Sequence, residues 1–197
     1  MDRPRLLLVR SPQRTPDIKI MSTKILPSRI SLIPLAGELH AEALQRVYRS
    51  AADYWAMHGL TGAPNGQAAR DLERAAETPG RTMMGIVHLP SQEEGGVALI
   101  GVVDFRLHWP DEGVAYVGMI MVAAPYRRQG VGSQAWNLLV PWLAGSADIK
   151  RVRCGVEQFN LSALKFFQNL DFELSGEANR IRVGDKLVRL LYLEKEL

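Results

Sequence analysis

The residue types best suited to binding chemistry fall in one run, Arg127, Arg128, Gln129, Gly130, Val131, Gly132 and Ser133, placed where a strand-like stretch gives way to helical spacing. Small residues let a backbone approach a ligand closely, and the first N–H groups of a helix have no carbonyl one turn earlier to bond. The helix dipole and two guanidinium groups add positive potential at the same point. Such a turn is an anion site, and phosphate is its natural ligand. A Walker loop is excluded because no lysine follows Gly132. The stretch from Gly130 to Ala135 fits the loose GxGxxA dinucleotide fingerprint, so a nicotinamide or flavin enzyme stays open, as does a tight turn with no ligand. Against the dinucleotide reading, that fold needs repeated βαβ units, whereas this turn follows what reads as an antiparallel meander.

Proton-transfer chemistry has fewer candidates. The strand-like run Val114 to Val122 contains no acid. The nearest carboxylates are Asp104 in the preceding strand, Asp111 and Glu112 in the turn between, and Glu157 at the end of the following strand; Glu157 and Asp104 are favoured as general base. The single cysteine, Cys154, excludes an internal disulfide and a multi-thiolate zinc site. His40, His58, His88 and His108 show no ligand spacing, so no metal is expected.

The elements that must position these residues follow from periodicity. A first strand covers Arg29 to Ile33, and a helix carries Leu39, Ala43, Val47, Ala51 and Trp55 at every fourth residue. A second, Ala-rich helix runs from about Gln67 to Glu77 before Pro79 and Gly80. Strands over Thr82 to Leu89 and Val97 to Leu107, joined by a polar turn over 90–96, form a hairpin, and Val114 to Val122 extends it. Helical spacing returns from Val131 to Leu143, with a kink expected at Pro141. A strand over Arg151 to Glu157 follows, then a helix over Leu161 to Asn169 with Asn160 as N-cap. Phe172 to Leu174 and Leu187 to Leu193 close the chain as strands around a turn at Gly184 and Asp185. The fold class is α/β, or α+β in its mixed sheet: one central mixed sheet with helices on both faces.

Composition agrees with one folded domain. The chain has 197 residues with 47% apolar and 23% charged side chains, far from the composition of disordered chains. A net charge of +3, spread rather than clustered, argues against a polynucleotide partner. No apolar run reaches the ~20 residues of a membrane span, so a cytoplasmic protein is expected. Residues 1–27, rich in Arg and Pro, read as a loosely attached extension to a domain over 28–197.

Two motifs in register carry a resemblance. Arg127-x-x-Gly130-x-Gly132, preceded by Val122, Pro125 and Tyr126, resembles the [Q/R]xxGx[G/A] signature of the GNAT superfamily of N-acetyltransferases. Asn160, Ala163, Phe167 and Phe172 resemble that family's NxxAxxxYxxxGF helix at the expected distance downstream. The resemblance spans residues 28–197 and implies the acyl-CoA N-acyltransferase fold.

The resemblance further implies acetyl-CoA as co-substrate, its pyrophosphate held by backbone groups from Arg128 through Ser133. Met121, Val122 and Asn160 would hold the pantetheine arm, and Phe167 would stand beside it where the family often has a tyrosine that protonates the departing thiolate. Gly118 suits a bulge in the fourth strand. The implied reaction is direct attack of a primary amine of a small molecule or protein on the thioester. The missing strand acid and Phe167 keep a second reading open, a CoA-binding sensor without catalysis. Asp53 to Gly59 and Trp109 to Glu112 are expected to shape the acceptor site, and exposed strands near the C-terminus fit a homodimer.

Overall fold

The computed structural model describes residues 30–89 and 97–197. The Arg- and Pro-rich extension over 1–27 and the turn over 90–96 lie outside the described residues. Among the described residues, seven strands, β1 (Ile30–Pro34), β2 (Arg81–His88), β3 (Ala98–Leu107), β4 (Val114–Val122), β5 (Arg151–Glu157), β6 (Glu173–Val183) and β7 (Lys186–Glu196), form one sheet in the order β1-β2-β3-β4-β5-β7-β6. Every neighbouring pair is antiparallel except β4 and β5. The mixed sheet and the meander ahead of the glycine turn are thus as the alternation predicts.

Helices cover both faces. On one, α4 (Val131–Gly145) and α5 (Leu161–Gln168) bury Trp136, Leu139, Leu143 and Phe167 against Val152, Cys154, Val156 and Phe172. On the other, α1 (Gly37–Ser50), α2 (Ala52–Met57) and α3 (Gln67–Glu77) bury Leu44, Val47, Tyr48, Trp55 and Leu72 over Met83, Val102 and Met121. The expected single helix through Trp55 is two. A spacing of four residues overshoots one turn by about 40°, so the stripe drifts; Leu39 is 83% exposed while Val47, Ala51 and Trp55 are buried. The chain breaks at Ala51 (φ −99°, ψ 48°), and Trp55 donates its indole N–H to the Tyr48 carbonyl across the break at 2.8 Å.

The final hairpin is longer than the sequence suggests. Ser175 to Arg182 are mostly exposed on an edge strand and lack apolar alternation, yet β6 reaches Val183 because its backbone pairs with β7 on either side of a bulge between Leu174 and Ala178. Pro141 lies inside α4, which continues to Gly145.

The opening that defines the site comes from the one parallel pair. β4 and β5 are in register only from Val114↔Arg151 to Val117↔Cys154. Beyond that point β4 stays bonded to β3 as far as Val122↔Gly101, and β5 to β7 as far as Glu157↔Leu190. Both lips of the gap are therefore held from outside. The split begins at Gly118, the extra residue of a bulge where Asp104 faces Met119 and Phe105 faces Val117, as the bulge reading of Gly118 predicts.

Candidate active site

On the α4 side of the gap the chain turns through a 3-10 turn (Ala124–Tyr126) into the loop before α4. Arg128 has φ 60° and Gly130 φ 79°. Left-handed residues in a turn bring neighbouring N–H groups toward one concave side, the form of an anion-binding nest; here Arg127 ahead of them is extended and Val131 behind them opens the helix. The left-handed backbone costs an L-residue roughly 1–2 kcal/mol, and glycine removes that cost at Gly130. Gly132 lies beneath the Phe166 ring, where a Cβ would come within 3.1 Å of Cε2. Val131, Gly132 and Ser133 form the first turn of α4, so N–H groups and dipole point into the nest.

The side chains of this run divide the work. Arg128 is exposed beside the nest. Arg127 turns back into the protein: Nε donates to the Val122 carbonyl at 2.7 Å and a terminal nitrogen to Asp53 at 2.6 Å. Gln129 donates to the Pro125 carbonyl at 2.9 Å. Asn160 caps α5, its Oδ1 accepting from the Ala163 N–H at 3.1 Å. Phe167 is buried, with ring centroids 5.1 Å from Phe172 and 5.3 Å from Phe166. Met121 is buried against the α1–α3 core and Val122 is half-buried at the lip.

The other side of the gap opens into a cavity of about 500 Å³ walled by Tyr48, Tyr54, Trp55, Trp109, Tyr116 and Gly118. Tyr54, Trp55 and Trp109 are where the sequence places acceptor-shaping residues. Asp104 lies on the cavity floor, 7% exposed, and takes a bidentate pair from Arg81 at 3.0 and 2.6 Å. That hydrogen bond and charge hold the Arg81 guanidinium above its ordinary value despite burial. An acid committed in this way is poorly placed to collect a proton. Asp71 accepts from the Tyr48 hydroxyl at 3.1 Å and from Gln67 at 2.9 Å.

Glu157 stands on the far lip of the gap. Strand alternation puts Val152, Cys154 and Val156 in the α4 and α5 core, so Arg153, Gly155 and Glu157 face the cavity side. The Glu157 carboxylate meets His58 Nε2 at 3.4 Å, and His58 Nδ1 lies 2.9 Å from the Tyr54 carbonyl. Burial, helped by the nearby Glu157 charge, pushes the Tyr54 hydroxyl up to about 12. Burial likewise pushes Tyr116 and Cys154 up to about 12, which leaves the Cys154 thiol inert at neutral pH.

Sequence reasoning put His58 in the acceptor-shaping stretch without its contact to Glu157, and did not find Arg81, Asp71 or the Asp53 contact with Arg127. A lone histidine after a short helix carries no local signal, and the others act through partners 23 to 74 residues away. Between the nest and the cavity, the split strands leave a slot that suits an extended thiol arm. The nest's N–H groups and Arg128 suit a pyrophosphate, so these residues fit coenzyme A.

Comparison with known proteins agrees with this geometry. The sequence model of the acetyltransferase (GNAT) family matches residues 45–172. No curated protein matches the chain. Among solved structures, a probable GNAT acetyltransferase from Chromobacterium violaceum is 18% identical, with TM-score 0.71 over 99% of this chain and 94% of its own. An acetyltransferase from Salmonella typhimurium that modifies the N-terminal serine of ribosomal protein L7/L12 is 16% identical, with TM-score 0.71 over 88% of this chain and 98% of its own. RimL, the ribosomal L7/L12 alpha-N-protein acetyltransferase, in complex with coenzyme A is also 16% identical, with TM-score 0.69 over 86% and 95%. The family match covers both motifs, the α4 loop and the strand gap alike, and the chain belongs to the GNAT family of acetyltransferases.

Proposed function

We propose that this chain transfers an acetyl group from acetyl-CoA to a primary amine by direct attack, with the amine entering from the cavity and the cofactor from the α4 side. The observation that carries this reading is the separation of β4 from β5 beyond Val117 and Cys154, with an anion nest on one side and an aromatic-walled cavity on the other. Bound acetyl-CoA would supply an activated acyl carbon. The residues that would hold it are the backbone groups of Arg128 through Ser133, the β4 lip at Met121 and Val122, Asn160, and the Phe166 and Phe167 side of α5.

An ammonium with a pKa of ~10.4 must lose a proton before it attacks, and Glu157 is the carboxylate on the cavity-side lip. Asp104 holds Arg81 and shapes the cavity floor. Phe167 has no proton to give, but a thiol of pKa ~8.5 leaves as its thiolate near neutral pH without an acid. A protein N-terminus is the favoured acceptor: the cavity is open and aromatic-walled, and fold relatives include enzymes acting on a ribosomal protein's N-terminal serine. The test is calorimetric titration with acetyl-CoA and NADH, followed by thiol release across Ser-initiated peptides and small amines. Saturable acetyl-CoA binding with peptide-dependent thiol release is expected; NADH binding in its place would remove the reading.

A further inference from the structure

We propose that His58 and Glu157 act as a single proton-accepting pair for the acceptor amine, with His58 a catalytic residue in its own right. The inference rests on the acetyl-transfer reading above. The Tyr54 carbonyl can only accept, so at 2.9 Å His58 Nδ1 must keep its hydrogen. Nε2 then has two states. Without a proton, its lone pair faces the Glu157 carboxylate at 3.4 Å, acceptor against acceptor. With a proton, the two form an ion pair. Two acceptors one proton short make a receptor for an N–H donor, and the donor this site must handle is an ammonium.

The pair's position supports that use. Both side chains are about four-fifths buried, at 22% and 19% exposure, so their exchange with bulk water is restricted. The His58 ring lies against Tyr54, centroids 4.5 Å apart, and Tyr54 is a wall of the cavity. α2 is tied to both lips of the gap, by Asp53 to Arg127 on the β4 side and by His58 to Glu157 on the β5 side. The backbone of Gly184 at the β6–β7 turn closes on the His58 carbonyl, at a distance of 3.8 Å from an added Cβ.

Among the described residues, the charged groups nearest the pair are already engaged. Asp53 is occupied by Arg127, and Arg153 on β5 by Glu177 and Glu194. Tyr54 and Tyr116 both feel the Glu157 charge and stay protonated. In the reaction one ammonium proton passes to the pair, and the nitrogen lone pair forms the C–N bond to the acetyl carbon. The C–S bond breaks with its electrons on sulfur, and the second N–H proton ends on that sulfur. The products are an amide, a thiol and one proton that the pair returns to solvent.

The experiment uses the full chain, acetyl-CoA and a Ser-initiated hexapeptide, with thiol release followed from pH 5 to 9 for wild type, H58Q, E157Q and the double variant. Each single variant is expected to lower kcat about 100-fold and to erase the acid limb of the pH profile. Acetyl-CoA affinity should move less than about threefold, and the double variant should be no slower than the slower single one. Should H58Q fail to fold, Glu157→Asp, which withdraws the carboxylate from the imidazole, carries the same readout. An acid limb retained in the variants, or losses that multiply, would overturn the pair while leaving the transferase reading intact. Absence of acetyl-CoA binding by the wild type would overturn both.

Discussion

The two sides of the β4–β5 gap are built by different means. On the α4 side the candidate ligand groups come from one contiguous run, Arg128 through Ser133, and are mostly backbone N–H groups set by two left-handed residues. On the cavity side the groups are side chains brought together from far apart: His58 and Glu157 are separated by 99 residues, Arg81 and Asp104 by 23. A phosphate asks for a backbone conformation, which a short sequence can encode. An acceptor asks for particular side chains in particular places, and only the completed fold supplies them.

The largest effect should come from breaking the backbone side. Gly130→Val puts a β-branched residue at φ 79°, a conformation such residues reach only with strain, and displaces the N–H groups behind it. Acetyl-CoA affinity should fall about 100-fold, close to 3 kcal/mol, while the backbone strain lowers the thermal midpoint by only a few degrees, as calorimetry and thermal unfolding would show. Unaltered affinity would mean that the nest is not the pyrophosphate site.

The matching break on the cavity side acts on stability. Arg81→Met leaves Asp104, 7% exposed, without its bidentate partner. Removing one member of a buried pair costs about 3 kcal/mol, less here because the Arg81 side chain is 24% exposed. Urea denaturation should show that loss while acetyl-CoA affinity stays within about twofold. Equal damage to cofactor binding would mean that the two sides are not energetically separate.

This division also sets what the sequence reveals. β5 and α3 are legible to the residue because apolar alternation or helical spacing coincides with their burial, and β4 because a continuous apolar run is bounded by turn residues. β6 is not, because an exposed edge strand is fixed by backbone pairing with β7 and its side chains need no pattern. The α1–α2 break hides inside a plausible four-residue stripe. In the site, the glycine loop and the Asn160 cap are local and readable. The partner of Glu157 is not, since His58, though inside the 53–59 stretch expected to shape the acceptor site, carries no sequence mark of its contact with a residue 99 positions away. Arg127 shows the limit most clearly: its place in the motif suggests a phosphate ligand, and its side chain instead ties β4 to α2.

Gly118 offers a smaller and sharper test. A Cβ there would meet only Asp104, at 3.8 and 4.0 Å, so the protein itself does not require glycine at this position. Gly118→Val should therefore change folding stability by less than about 0.5 kcal/mol. It would still fill the point where the slot opens into the cavity. A rise of about tenfold in the KM of an accepted amine is expected, equal to 1.4 kcal/mol. Lost stability with an unchanged KM would place the need for glycine in the bulge and not in the ligand.

The smallest effect concerns the strap that joins the two sides. Burial opposes ionisation of Asp53, but the Arg127 hydrogen bond and charge outweigh it, and the carboxyl sits below its ordinary value. A carboxyl depressed in the folded state stabilises fully above its unfolded value, ~3.9, and the contribution fades as pH falls through the lower folded value. With the Asp53 side chain 67% exposed, solvent screening limits that contribution to less than about 1 kcal/mol. The thermal midpoints of wild type and Asp53→Asn should differ slightly at pH 7 and converge toward pH 3. A gap that persists in acid would show that Asp53 acts through packing, so that α2 is held over the gap by its apolar contacts and the His58 contact alone.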